Sequence, residues 1–430
     1  MVESVEYAQP ELSTKARERK NKADRFENNY INHKKPPHAV IIIENMTVPA
    51  DRRVWQQAQA LAAEGWRVSV ISPQLGAHRK AFEIINGVEI HRHPLPVEAR
   101  SLSTYIIEYG CALFWETQCL LKIGLKSIDV VQICNPPDFL FAPALLAKKF
   151  GGAKVIFDHH DLTPELLVQK TGRDNSMLLR FARWAERMTF RTANQVISTN
   201  SVFRTHAMVT GNKPETDVHV VYSTPDVKQL PVGVETAEHK DGKEILLFWV
   251  GVIGSQDGVD ILLDAMVRLR DLPGGGRFRL LIAGDGPERK SLEARSKALG
   301  LDDVVTFGGF IYGQQLANAF ATADIGVGSD PKNSFNDRLA MNKIFEYMTY
   351  ALPMVMFDLN ESRKIADDAA LYASNNDPAA LAAAISNLIE SPNLRQKMGN
   401  RGQERLQKEY SWDAQKKRYL DVYRSILSAA

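Results

Sequence analysis

Two short segments of this sequence carry residue types able to hold a charged, hydroxylated ligand. In Asn336-Asp-Arg338-Leu-Ala-Met-Asn342-Lys343-Ile-Phe-Glu346, Lys343 and Glu346 are three apart and so share a helical face. Asn342 suits the cap position ahead of them. A lysine in a helix's first turn sits at the wrong end of the dipole, and a bound anion reverses that conflict. A diphosphate on Lys343 and the helix start, with Glu346 a turn deeper accepting two sugar hydroxyls, is chemically coherent. The bland alternative is an intrahelical salt bridge on a solvated face. The second segment, Gly251-Val-Ile-Gly254-Ser-Gln-Asp-Gly258, leaves a strand and opens a helix. Its glycines let backbone N–H groups approach an anion, or simply make a turn. The spacing is neither that of a dinucleotide fingerprint nor of a P-loop. Ile282-Ala-Gly284-Asp-Gly286-Pro287 reads better as a tight turn with proline at the helix start.

Asp158-His159-His160-Asp161 closes another strand and invites a metal reading. Successive strand residues point to opposite sides, so the four cannot converge on one ion. What remains is a histidine facing a cleft, or a satisfied turn histidine. No Gly-x-Ser-x-Gly elbow and no His-Glu-x-x-His occurs. Arg180, Arg183, Arg187 and Arg191 form a basic helical stripe beside Phe181, Trp184 and Met188. Such a face could lie on an anionic membrane surface, or be solvated with Glu186 pairing Arg183. The helix at about 101–124 is apolar, but Glu108 and Glu116 forbid spanning, so it is core or interfacial.

These segments need a scaffold. The chain has 430 residues, 44% apolar and 24% charged, with a net charge of +2. That is the composition of a globular protein of two or three domains, and the near-zero balance excludes a general nucleic-acid binder. There is no apolar run long enough to cross a membrane, and Met1 to Lys35 lacks the apolar core of a signal peptide. Three cysteines without metal spacing fit a reducing cytoplasm. Buried-strand patterns such as His38–Glu44 and Arg67–Ser72 alternate with helical ones such as Arg53–Glu64. This predicts an α/β protein with two doubly wound, parallel-sheet domains facing a central cleft. The boundaries expected are a polar tail over 1–35, a first domain over 36–228, a linker over 229–242, a second domain over 243–410, and a final helix over 411–430.

The ordered set of motifs resembles a retaining family-4 glycosyltransferase of the GT-B fold. It is carried by Asp51-Arg-Arg53-Val54 with Gly65-Trp-Arg-Val, by Val155–Asp161, and by Phe248-Trp-Val-Gly251 through Gly258. Ile282–Pro287, Phe307-Gly308, Lys343-Ile-Phe-Glu346 with Pro353, and Tyr410-Ser-Trp412 continue it, over about residues 38–425. There are departures. Arg338 stands where the family has the first of two glutamates, Val252 and Asp257 where its Gly-loop has arginine and lysine, and Ala351 where it has glycine. An Asn-Lys before the glutamate matches a branch found in bacterial surface-polysaccharide pathways.

The resemblance implies transfer from a nucleotide sugar, with UDP as the default nucleotide, and no metal or other cofactor. It implies a glycan or lipid-linked acceptor and a cytoplasmic protein; the apolar helix and the arginine stripe are what would bring it to the inner face of the membrane. It places Arg338, Lys343 and the Gly254 N–H on the diphosphate, Glu346 on the ribose, Phe310 and Ile311 beside the base, and His160 with Asp161 at the donor sugar. Arg53 would meet an acceptor phosphate. The alternatives are a nucleotide-sugar epimerase or a catalytically silent partner subunit.

Overall fold

In the computed structural model the described residues are 35–95, 102–172, 176–234, 244–272 and 278–428, so nearly all of the expected tail lies outside them. The first lobe is built on an eight-stranded sheet: β1 (His38–Ile43), β2 (Arg67–Pro73), β3 (Phe82–Ile85), β4 (Val88–His93), β5 (Val130–Cys134), β6 (Lys154–His159), β7 (Gln195–Ser198) and β8 (Val218–Val220). Their order is β3-β4-β2-β1-β5-β6-β7-β8. Every residue of β1 and β5 is buried, as a strand covered by helices on both faces requires. All pairings are parallel except β3 with β4. The sequence reading had not anticipated β3. It is an edge hairpin turned by Asn86-Gly87, both at positive φ (50° and 79°), the geometry that suits an Asn-Gly turn.

The second lobe carries a six-stranded sheet. It comprises β9 (Ile245–Val250), β10 (Phe278–Ala283), β11 (Val305–Gly309), β12 (Ile325–Gly328), β13 (Met354–Phe357) and β14 (Ala370–Ala373), in the order β11-β10-β9-β12-β13-β14 and all parallel. In each lobe the strand order reverses at the first strand, between β1 and β5 and between β9 and β12. Crevices at such reversals, beyond the carboxyl ends of the strands, are where ligands bind in open α/β sheets.

The last helix, Trp412–Ser428, returns to the first lobe. Trp412, Tyr419, Leu420, Val422, Tyr423 and Ile426 share one core with Val54, Leu61 and Trp66, and the Trp66 and Tyr423 rings meet edge-on at 5.2 Å. Ala351, at the position where the resembled family has glycine, holds φ 53°, a left-handed conformation that strains a side-chain-bearing residue.

Candidate functional site

The two lobes meet through the Tyr222 ring packed on Phe345 and Tyr410 and through a few polar contacts around the strand ends. Arg52 Nη1 reaches Glu346 Oε1 at 2.8 Å, and Arg338 Nη1 reaches Glu165 Oε1 at 3.4 Å. Asn200 Nδ2 donates to the Arg338 carbonyl at 2.8 Å, and Ser201 Oγ to Glu361 Oε1 at 2.9 Å.

On the second-lobe wall, the Gly loop after β9 is pinned to the end of β12. Trp249 Nε1 donates to Ser329 Oγ (2.9 Å), which donates to the Asp257 carbonyl (2.7 Å). Gly258 lies at φ 65°, where a Cβ would stand 2.1 Å from the Ser329 carbonyl oxygen, so only glycine fits. Lys343 reaches under this loop from the helix Asn342–Thr349. It is 8% exposed, with Nζ 2.9 and 3.1 Å from the Asp330 carboxylate oxygens and 4.7 Å from the Trp249 ring centre. A Cβ on Gly251 would lie 3.7 Å from that Nζ, which places the cation at the floor of the glycine loop. The expected alternative of a Lys343–Glu346 pair does not form, because Lys343 goes to Asp330 and Glu346 crosses to Arg52.

Four other expected ligands differ in setting. Asn342 is the exposed first residue of its helix; Met341 holds the cap position, without a side-chain bond, so the capping role assigned to Asn342 is corrected. Gly254 N–H already has an acceptor, Asp257 Oδ2 at 3.1 Å. Burial pushes the Asp257 carboxyl up to about 6; the nearby Lys343 cation opposes the shift and the Asp330 carboxylate adds to it. Beyond β11, Phe310 is 73% exposed, with the Tyr312 ring 5.9 Å away, while Ile311 packs partly into the core.

The first-lobe wall is organised around Asp158, which is fully buried. Its carboxylate accepts from Arg53 Nη2 (2.7 Å) and Nε (3.1 Å), from Gln57 Nε2 (2.7 Å) and from Gln132 Nε2 (3.3 Å). Arg53 also donates to the Val221 carbonyl at 2.9 Å. Arg53, expected to meet an acceptor phosphate, is therefore engaged by partners inside the lobe. The neighbouring Arg52 takes the cleft-facing place assigned to it. Burial disfavours the Asp158 carboxylate, but Arg53 and His160 outweigh it and hold the group well below the usual range.

His160 Nε2 lies 2.9 Å from Asp158 Oδ2 and 3.1 Å from Arg53 Nε. That nitrogen can serve only one of the two, and the closer carboxylate decides it. Burial alone would lower the ring, yet Asp158 pushes it up to about 10. Cys134, Asp158 and His160 place ligand-type atoms within 4.8 Å of one another. Arg53 Nε stands 3.1 Å from both Asp158 Oδ2 and His160 Nε2, so two of these three residues are joined to it in an ion-pair network. His159 points away into Phe157, Phe190 and Phe203, and burial pushes it down to about 3. Asn135, which sequence reasoning passed over, fixes the turn. Its Oδ1 accepts from His160 N (2.7 Å) and its Nδ2 donates to the Asp161 carbonyl (2.7 Å). Asp330 and Asn135 share one signal: each is a polar side chain within two residues of a buried strand's carboxyl end, where it can bridge loops.

Away from the cleft, the helix Met177–Thr192 shows Met177, Phe181 and Trp184 to solvent beside four exposed arginines. Glu186 is turned inward onto His206 at 2.8 Å, so the alternative of an Arg183–Glu186 pair is not formed. A cavity of about 730 Å³ lies elsewhere on the seam, between Arg204, Lys364, Lys408 and Arg418, and lacks the strand ends that carry the chemistry above.

Comparison with known proteins matches residues 50–223 to a glycosyl transferase 4-like domain and residues 234–405 to glycosyl transferases group 1. The chain is similar to an alpha-D-kanosaminyltransferase of Streptomyces kanamyceticus, 28% identical over 57% of this chain and 64% of that protein, a little under two thirds of its length. It is also similar to an uncharacterized glycosyltransferase of Methanocaldococcus jannaschii, 22% identical over 85% of this chain and 92% of that one. The fold matches that of Anabaena HepE solved with UDP and glucose (TM-score 0.68, 14% identity, 90% of this chain and 100% of that one). With both lobes matched in order and two facing Rossmann-like sheets, the chain belongs to the family-4 glycosyltransferases of the GT-B fold.

Proposed function

We propose that the cleft transfers a glycosyl unit from a nucleotide sugar to an acceptor hydroxyl, with retention at the anomeric carbon. The observation that carries this reading is Lys343 Nζ at the floor of the Gly251–Gly258 loop, at the β9/β12 reversal. There Lys343, Arg338 and the Gly254 N–H take the diphosphate, and the dipole of the Asn342–Thr349 helix adds to them. Glu346 exchanges Arg52 for the ribose hydroxyls, and Phe310 with Ile311 flanks the base. His160, charged by Asp158, faces the donor sugar, and Asp161 orients it or the acceptor. The anomeric carbon–phosphate oxygen bond breaks, the electron pair leaving with the diphosphate. The acceptor oxygen bonds to that carbon and passes its proton to the departing diphosphate oxygen. Protein cations meet the leaving charge without a resident metal, and no protein nucleophile is assigned. Anabaena HepE, solved with UDP and glucose, supports a uridine donor by analogy of fold.

A thermal-shift panel of nucleoside diphosphates tests this. Lys343→Ala alone would strand the buried Asp330 carboxylate and so mix stability with binding. The double variant Lys343→Met with Asp330→Asn removes the cation while keeping the site neutral. The wild type should be stabilised by at least one nucleotide and the double variant by none. Equal shifts in both would place the diphosphate elsewhere. No shift in either would favour the silent-subunit alternative, for which Asp257 on the Gly254 N–H is the favouring observation.

We further propose that the Met177–Thr192 helix lies on an anionic lipid surface, its aromatic side chains in the interface and its arginines among the headgroups. This fits a lipid-linked acceptor in cell-surface polysaccharide synthesis at the cytoplasmic face. No helix among the described residues is long and apolar enough to cross a membrane. The protein should float with phosphatidylglycerol vesicles at low salt and sink with neutral ones; sinking with both would refute lipid docking.

A further inference from the structure

The Gly254 N–H points at a carboxylate of its own loop. Asp257 Oδ2 accepts from it at 3.1 Å, on the spot where the proposed function seats the donor diphosphate. The backbone of Asp257 is not free to leave. Its N–H bonds the Gly254 carbonyl at 3.2 Å, its carbonyl accepts from Ser329 Oγ, and Gly258 beyond it is wedged against Ser329. Asn336 Nδ2 holds the preceding carbonyl, that of Gln256, at 2.9 Å. Only side-chain rotation can clear the N–H.

The charges facing this carboxylate come from each element packed on it. Lys343 arrives from the helix below and Asp330 from the end of β12, 2.9 Å from Lys343. Asp285, in the next loop, is turned to Arg289 at 3.6 Å, and Arg338, on the turn Asn336–Arg338, is paired with Glu165. One cation thus serves two carboxylates before any ligand arrives. A diphosphate would bring two further negative charges to the same few ångströms, where each like-charge contact is costly.

We infer that Asp257 is a specificity-determining residue of the donor site, an internal anion that must leave the Gly254 N–H and take up one proton from solvent as a diphosphate binds. This rests on the donor-site reading above. Burial already brings the carboxyl up to about 6, and a neighbouring dianion raises it further, so near neutral pH binding and protonation are linked. The residue turns what would be a permanent cationic cradle into one that favours donor as the medium acidifies.

Isothermal titration of the full chain with UDP-glucose and GDP-mannose, whose diphosphates do not titrate in this range, tests the inference. From pH 6.5 to 8.5 the wild-type Kd should weaken by up to about tenfold per unit, with proton uptake visible as a dependence on buffer ionisation heat. Asp257→Asn keeps an acceptor for the N–H but removes the charge. It should bind about tenfold or more tightly at pH 8 and lose the pH slope. Asp257→Ala removes both and should behave likewise if the Asn variant fails to fold. A wild-type Kd independent of pH, with variants no tighter, would overturn the role of Asp257 and leave the donor site standing. No binding of either nucleotide sugar by any of the proteins would bring down the donor-site reading and this inference with it.

Discussion

The two walls of the cleft hold similar numbers of charges in opposite ways. On the first-lobe wall, Asp158 has four donor contacts from three side chains besides His160, all inside the lobe, and Arg53 is saturated by Asp158 and a backbone carbonyl. On the second-lobe wall Lys343 and Asp330 form one buried pair, but the contacts around it are single and replaceable: Glu346 has Arg52, Arg338 has Glu165 at 3.4 Å, and Gly254 has Asp257. A buried ion with several fixed donors is architecture, because removing any partner strands a charge. A half-exposed ion with one partner from another element is a place where a ligand can take that partner's role. One wall is set once, at folding, and the other is reset at each binding event.

Three measurements would sharpen or break that contrast. The largest effect is expected for Asp158→Ala, which strands Arg53 and leaves His160 without its carboxylate. Urea unfolding should show a loss of about 3–5 kcal/mol. A loss below about 1 kcal/mol would mean the first-lobe network is as exchangeable as the second. The next concerns two other buried acids of the first lobe. Burial pushes Glu44 and Asp138 up to about 7 each, with Glu108 adding to the first and Glu186 to the second. A carboxyl raised in the folded state stabilises fully below its unfolded value near 4, and that stability is lost as pH rises through about 7. Melting temperature should therefore fall from pH 5 to pH 8, by on the order of 2–4 kcal/mol in stability, and Asp138→Asn should flatten the curve. A curve that rises over this range would contradict the sign. The smallest effect belongs to Arg52→Ala. Its pair with Glu346 contributes under about 1 kcal/mol, so stability should hardly change. UDP should bind the variant a few-fold more tightly, since Glu346 no longer needs to be released; weaker binding would make Arg52 itself a ligand contact.

Much of this was legible in the chain. Continuous apolar runs such as His38–Ile43 mark strands buried on both faces, and glycine loops mark their carboxyl ends, because backbone geometry forces both. What was not legible depends on helical phase and on pairing across the fold. Arg52 and Arg53 are adjacent, and nothing local says which faces the cleft. The answer lies in Arg53, Gln57 and Leu61, four apart, which share the buried stripe of the Arg52–Ala63 helix, two of them polar because Asp158 waits opposite. Lys343 was weighed against Glu346 as its partner because Asp330, which it pairs with, belongs to another loop. Asn342 looked like a cap because its type suits one, but the helix begins one residue sooner. The Asn86-Gly87 turn was present as a signal and announces β3 in retrospect.

The return of Trp412–Ser428 to the first lobe sets the order in which this protein can be made. That lobe's core lacks Trp412, Tyr419 and Tyr423 until all strands of the second lobe have been synthesised. At ordinary translation speeds the first lobe waits roughly ten to forty seconds for its last buried aromatics, while the lobe synthesised later is already complete. The second lobe thus has the chance to finish first, and nascent chains stalled before Trp412 would offer chaperones an open hydrophobic seam along the Arg52–Ala63 helix.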